Sequence, residues 1–216
     1  MIYSENILIC IAIPLLIAIL FIGASTRRFL LNFVMGMVVC LLSAYVSGFI
    51  NYMTGIGSED MAVFYSPLIE EILKLLPLLF YLFVFEPELD KLFTAALGLG
   101  LGFATFENCC YILSSGASDV TYILIRGMAV GVMHLVCAIV LVLGLNTARY
   151  FKVLSLPGVV GALSLSMIFH GLYNVLVSQD GISSYLGYSI PVITAALLFI
   201  PCRKVLRYYH KVTIDQ

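Results

Sequence analysis

The sequence predicts an all-α, polytopic membrane protein with about seven transmembrane helices, and three observations predict it. Of its 216 residues, 62% are hydrophobic and only 11% are charged, with a mean hydropathy of +1.10. A soluble domain carries about twice that share of charge, so most of the outer surface must face lipid. The apolar residues fall into seven stretches, approximately 6–24, 29–51, 61–85, 92–113, 120–145, 154–177 and 185–202. At about 1.5 Å per residue these lengths match a hydrocarbon core of about 30 Å, whereas a barrel strand needs about ten residues in strict alternation. The connectors also sort by charge. Arg27, Arg28, Lys91, Arg149, Lys152, Arg203, Lys204, Arg207 and Lys211 fall on one side, while residues 1–5, 52–60, 114–119 and 178–184 on the other hold no Lys or Arg. Cationic loops stay in the cytoplasm. This predicts a multi-pass protein of the cell membrane with its N-terminus outside and its C-terminus cytoplasmic.

The first stretch reads as a span rather than a cleavable signal peptide, because no Lys or Arg precedes it and Arg27-Arg28 follow it. The third carries Glu70, Glu71 and Lys74, spaced so that Lys74 reaches either carboxylate on one helix. On the fourth, Phe103, Glu107 and Tyr111 share a face, with Asn108 about 100° around it. Gly98, Gly100 and Gly102 of that span mimic a dinucleotide-binding loop, but no strand precedes them. With Gly127 and Gly131 of the fifth span they read as close helix-packing positions. Arg126 and His134 lie about two turns apart on the fifth, and on the sixth His170 and Asn174 share a face with Ser166 one turn earlier. Turn-rich connectors such as Ser114-Ser115-Gly116 and Asp180-Gly181 are short. The expectation is one integral membrane domain over 1–216, with a motif-bearing helical core at about 61–177 and no internal repeat.

Six cysteines (Cys10, Cys40, Cys109, Cys110, Cys137 and Cys202) lie in apolar runs without a CxxC pair, so they read as small hydrophobes, Cys109-Cys110 beside Glu107 included. Tryptophan is absent, which leaves interfacial anchoring to tyrosine. A net charge of −1 and the lack of a basic stripe give no sign of nucleic acid.

Seven ionisable residues interrupt the spans: Glu70, Glu71, Lys74, Glu107, Arg126, His134 and His170. A strongly charged residue at mid-span costs about 2.5–3.5 kcal/mol, so the five charged ones would oppose insertion by about 12–17 kcal/mol if all faced lipid. They must face one another or a wet cavity. With the orientation above, Glu70 and Glu71 sit roughly a third of the way in from the outer surface, Glu107 and His170 lie at nearly the same level, and His134 lies near the middle. Four helices therefore bring polar groups to one band. A lone intramembrane histidine is ordinarily a packing residue, and Arg126 is close enough to the outer surface to snorkel. The shared depth is what argues for a site.

Glu70, Glu71 and Glu107 contribute −3 when ionised, and Lys74 and Arg126 contribute +2. One shared proton would remove the surplus and suit acid/base work. A divalent metal held by Glu107, His134 and His170 would suit equally well, with zinc the candidate and no organic cofactor expected. Both states remain open on the residues alone.

Glu70 to Lys74 reads EExxK, Phe103 to Asn108 reads FxxxEN, His134 stands alone, and His170 to Asn174 reads HxxxN. In that order, one motif per successive helix over residues 70–174, the set resembles the PrsW family of intramembrane proteases. That family is similar to the CAAX prenyl endoproteases and bacterial CPBP proteins, and Glu107 stands where the CAAX branch usually has histidine. The resemblance implies an intramembrane endopeptidase of metallo- or glutamate type. It would cleave a single-pass, anti-sigma-factor-like membrane protein near the extracytoplasmic face. It further implies Glu71, helped by Glu70, as general base, and His134 and His170 as groups that polarise water or the scissile carbonyl, directly or through a metal. Lys74, Asn108 and Asn174 would be supporting residues. Among rival functions, an ion-coupled transporter would show paired repeats that seven spans do not supply. A haem protein ligated by His134 and His170 leaves the three glutamates without purpose. A non-enzymatic scaffold of the CPBP kind is opposed by the complete set of acid, base and oxyanion groups.

Overall fold

Seven long helices hold nearly all the described residues, and no strand occurs among them. They are α1 (Ser4–Ala18), α2 (Ala24–Thr54), α3 (Ser66–Phe85), α4 (Leu89–Ser115), α5 (Val120–Tyr150), α6 (Ser155–Val177) and α7 (Ile182–Ile214). The structure is a computed structural model that describes residues 4–115, 119–151, 153 and 155–214, with side chains up to residue 198. Gly116 and Lys152 lie outside the described residues, as do the side chains of Cys202, Arg203, Lys204, Arg207 and Lys211.

Ser4–Phe21, Ala24–Thr54, Leu89–Ser115, Val120–Tyr150 and Ser155–Val177 are each long and apolar enough to cross a membrane, and Ile182–Leu198 is a shorter apolar stretch. With α3 this gives the all-α polytopic architecture that composition predicts. Helix α3 has 20 residues but carries three charges, and its surface is divided to match. Leu68, Ile72, Leu76, Phe80 and Phe83 form the exposed stripe, whereas Glu71, Lys74, Leu75, Leu78 and Leu82 form the buried one. The charges therefore share the inward face with leucines and leave the outward face to lipid.

Two boundaries differ from the sequence reading. Helix α7 continues past its apolar stretch to Ile214, running through Pro191 and Pro201 into a segment rich in the helix formers Arg, Lys and Leu. The third stretch begins with a single turn, Ser58–Asp60, and a π-helical turn, Met61–Tyr65, before α3 starts. Pro67 accounts for the widened turn. Its ring crowds the carbonyl of Val63 and it has no N–H to donate there, so the backbone opens, and Ser66 N–H bonds to Met61 O.

Glycines set the helix order around α4. A Cβ on Gly98 or Gly102 would strike the carbonyls of Phe29 and Phe33 on α2, and one on Gly36 would strike Leu99 O. A Cβ on Gly100 would lie 3.0 Å from the carbonyl oxygen of His134 on α5. Helix α4 thus packs backbone to backbone between α2 and α5, as small residues allow in lipid. Gly144 and Gly158 bring α5 against α6 in the same way. Gly127 and Gly131 differ from the packing role expected of them, since a Cβ on either would meet no described atom within 4 Å. Met37, Leu78, Leu99, Phe103 and Leu141 fill the main core between α2, α3, α4 and α5. Met133, Cys137 and Tyr173 fill a smaller one between α5 and α6.

Candidate active site

Four helices contribute to a single chain of polar contacts. On α3, Lys74 Nζ donates to Glu71 Oε1 at 2.8 Å, and both side chains are fully buried. Lys74 Nζ also lies 2.7 Å from His134 Nδ1 on α5, and His134 Nε2 lies 2.6 Å from Glu107 Oε2 on α4. Glu71 Oε1 meets His170 Nδ1 on α6 at 2.9 Å. Glu70 Oε2 is 3.8 Å from His170 Nε2 and 4.0 Å from Lys74 Nζ. The two imidazoles stand edge to face, with centroids 4.9 Å apart and planes at 89°. Phe103 closes one side, its ring 4.7 Å from that of His134 and 3.9 Å from Lys74 Nζ.

The contacts determine which ring nitrogens are free. An ammonium only donates, so His134 Nδ1 accepts from Lys74 and Nε2–H donates to Glu107. A carboxylate only accepts, so His170 Nδ1–H donates to Glu71, and in the neutral ring Nε2 keeps its lone pair. That lone pair faces Glu70 Oε2, which is buried without a hydrogen-bond partner. Each histidine therefore gives one N–H to a carboxylate and turns its other nitrogen inward, as metal-ligating histidines do.

Glu70, His134 and His170 offer ligand atoms that all lie within 4.8 Å of one another. Two imidazole nitrogens, one carboxylate oxygen and an open position are the donor set of a catalytic zinc site, and the unpartnered Glu70 oxygen is free to serve it. The residues fit such an ion, with one condition. The inward nitrogen of His134 is held by Lys74, so an ion and Lys74 compete for the same lone pair. Glu70 is the carboxylate gathered with the two histidines, whereas Glu107, expected as a ligand, lies on the outer nitrogen of His134.

The supporting residues divide. Asn174 Nδ2 donates to Ala62 O at 3.1 Å in the π-helical turn. Ser66 N–H is already used by Met61 O, and Pro67 has no N–H, so Asn174 supplies the donor that Ala62 lacks. Asn108 leaves its Oδ1 buried without a partner. Ser166 Oγ donates to Cys137 O at 3.2 Å and ties α6 to α5 one turn from His170. Arg126, which position alone left free to snorkel, instead reaches Glu107 Oε1 at 3.5 Å and lies 3.6 Å over the Tyr111 ring. No spacing within one helix reports such a contact. Cys109 and Cys110 are free and half-buried.

No curated protein and no solved structure matches the chain. The family model described as PrsW family intramembrane metalloprotease matches residues 15–201, and the chain belongs to that family.

Proposed function

We propose that the chain hydrolyses a peptide bond of a single-pass, anti-sigma-factor-like membrane protein near the extracytoplasmic face. The observation that carries this reading is the convergence of Glu70, His134 and His170 beside Glu71, whose Oε2 is buried and unpartnered. The Lys/Arg asymmetry of the connectors supports the choice of face, because it puts the polar band nearer the side without Lys or Arg.

Glu71 is the general base. Lys74 and His170 hold its Oε1, which leaves Oε2 to take a proton from water and later to deliver it to the leaving nitrogen. Asn108 donates its amide hydrogens toward the developing oxyanion. Asn174 holds the π-helical turn in place above the site. A zinc ion held by Glu70, His134 and His170 would supply Lewis-acid polarisation of water or of the scissile carbonyl. Glu107 is the carboxylate behind His134, orienting its ring. A cleft of about 620 Å³ between α5 and α7, lined by Tyr122, Ile125, Tyr185, Tyr188 and Val192, is the approach we assign to the substrate.

A glutamate-type variant of the same reaction is favoured by one contact, Lys74 on His134 Nδ1. In that variant Lys74 stays in place, and Glu70 and Glu71 share the surplus proton. The deciding experiment uses protein reconstituted in liposomes with a single-pass substrate, with metal measured on the same sample. Cleavage with one zinc per chain, lost on chelation, supports the metal form. Cleavage that survives strong chelation without stoichiometric metal supports the glutamate form. Folded protein that cleaves no such substrate in either the zinc-loaded or the metal-free state contradicts both.

A further inference from the structure

We propose that Arg126, which belongs to none of the four motifs, is a positioning residue for the reaction. Its guanidinium fixes Glu107, and Glu107 fixes the orientation of the His134 ring through Nε2–H. The proposal rests on the reading of His134 as a site residue. Glu107 and Tyr111 are four apart on α4, and Tyr122 and Arg126 are four apart on α5, so each pair occupies one helix face. The two faces meet as a four-cornered cluster. Arg126 Nη2 lies 3.5 Å from Glu107 Oε1, its Cζ lies 3.6 Å above the Tyr111 ring, and Tyr111 Oη and Tyr122 Oη are 2.9 Å apart. The other Glu107 oxygen, Oε2, holds His134 Nε2 at 2.6 Å.

A snorkelling arginine would extend to the interface with its head hydrated. This one has only 15% of its side chain exposed, and its Nε is buried without a partner. The contact with the Tyr111 face anchors the guanidinium, and its place there sets which Glu107 oxygen it meets. With Oε1 occupied by Arg126, Oε2 faces His134, so Nε2 carries the hydrogen and Nδ1 is turned to the site. Without Arg126, Glu107 is half-buried with one cation fewer and is free to rotate away from the imidazole. His134 then loses the acceptor that holds its Nε2–H, and only Lys74 on Nδ1 is left to hold the ring.

The chain has three histidines, so the imidazole ¹⁵N spectrum of the full-length protein is sparse, and His134→Gln assigns its signals. Wild type should show His134 as the Nε2–H tautomer. Arg126→Met should shift the His134 Nε2–H signal upfield as its short bond to Glu107 is lost, and lower kcat by about 10- to 100-fold, with KM changing by less than about threefold. Adding Glu107→Gln should cost no more than Glu107→Gln alone, within about twofold, because both act through one contact. A wild-type His134 spectrum in Arg126→Met, or losses that multiply in the double variant, would overturn the proposal. If Arg126→Met does not fold, Arg126→Lys keeps the charge but loses the planar fork and its stack. It should still shift the Nε2–H signal upfield, and an unchanged spectrum there would overturn the proposal equally. Absence of turnover in wild type would sink the protease reading alone, since the Nε2–H readout needs no substrate.

Discussion

Replacing Lys74 with methionine keeps an unbranched side chain one atom shorter and removes its charge. The ammonium is fully buried, 2.8 Å from Glu71 Oε1 and 4.0 Å from Glu70 Oε2. At an effective dielectric constant of about 20, the 2.8 Å separation corresponds to about 6 kcal/mol of attraction and the 4.0 Å separation to about 4 kcal/mol. Removal also relieves the desolvation of the ammonium itself, several kcal/mol, so the net loss expected for breaking a buried pair is about 3–5 kcal/mol. The loss arises because Glu71 keeps a buried charge with only His170 beside it. Converting Glu71 to glutamine in the same chain removes that charge, so Lys74→Met with Glu71→Gln should be more stable than Lys74→Met alone. Unfolding in mixed micelles with increasing denaturing detergent, followed by circular dichroism, measures all three variants. If Lys74→Met falls within about 1 kcal/mol of wild type, Lys74 is hydrated or faces elsewhere. The convergence of α3 and α5 on it would then be refuted.

His170→Ala should lose both zinc and cleavage, because it removes an inward nitrogen and the N–H that holds Glu71; retained stoichiometric zinc would remove His170 from the ligand set. Gly102→Ala should destabilise the protein by about 1–3 kcal/mol, since its Cβ would press on the backbone carbonyl of Phe33. Gly127→Ala, with open space around it, should stay within about 1 kcal/mol of wild type, and equal effects of the two in a melting assay would refute the glycine-mediated seam between α2 and α4. In a background without native cysteines, Ser58→Cys and Asp180→Cys should label from outside, and Glu88→Cys only after permeabilisation. The reverse pattern would invert the orientation and move the site toward the cytoplasm.

The helices that carry the site were legible because lipid makes an unpaired charge so costly. Glu70, Glu71, Lys74, Glu107 and the two histidines had to converge once their spans were drawn, and the helical spacing gave the face of each helix they occupy. The rotation of one helix against the next was not legible. That rotation decides that Glu70 rather than Glu107 joins the two histidines, and that Arg126 stacks on Tyr111 instead of extending to the surface. It is set by where backbones touch, at Gly98, Gly100 and Gly102 among others, and a glycine read in isolation does not name its partner. Gly127 and Gly131 make the same point from the other side, with the same small-residue pattern and no close neighbour. The π-helical turn before α3 was missed as well. Its cause, Pro67, was present in the sequence, but the hydrogen bond that completes it comes from Asn174, more than 100 residues away along the chain.

In the proposed reaction Glu71, held on one oxygen by Lys74 and His170, activates water with the other. Turnover of a single-pass substrate by Glu71→Gln, in liposomes and at matched zinc occupancy, tests it most directly. Loss of a general base ordinarily costs about 10²- to 10⁴-fold, so cleavage should fall by at least about a hundredfold while substrate binding and bound zinc are retained. Cleavage by Glu71→Gln at the wild-type rate would contradict the claim in both its metal and its glutamate form.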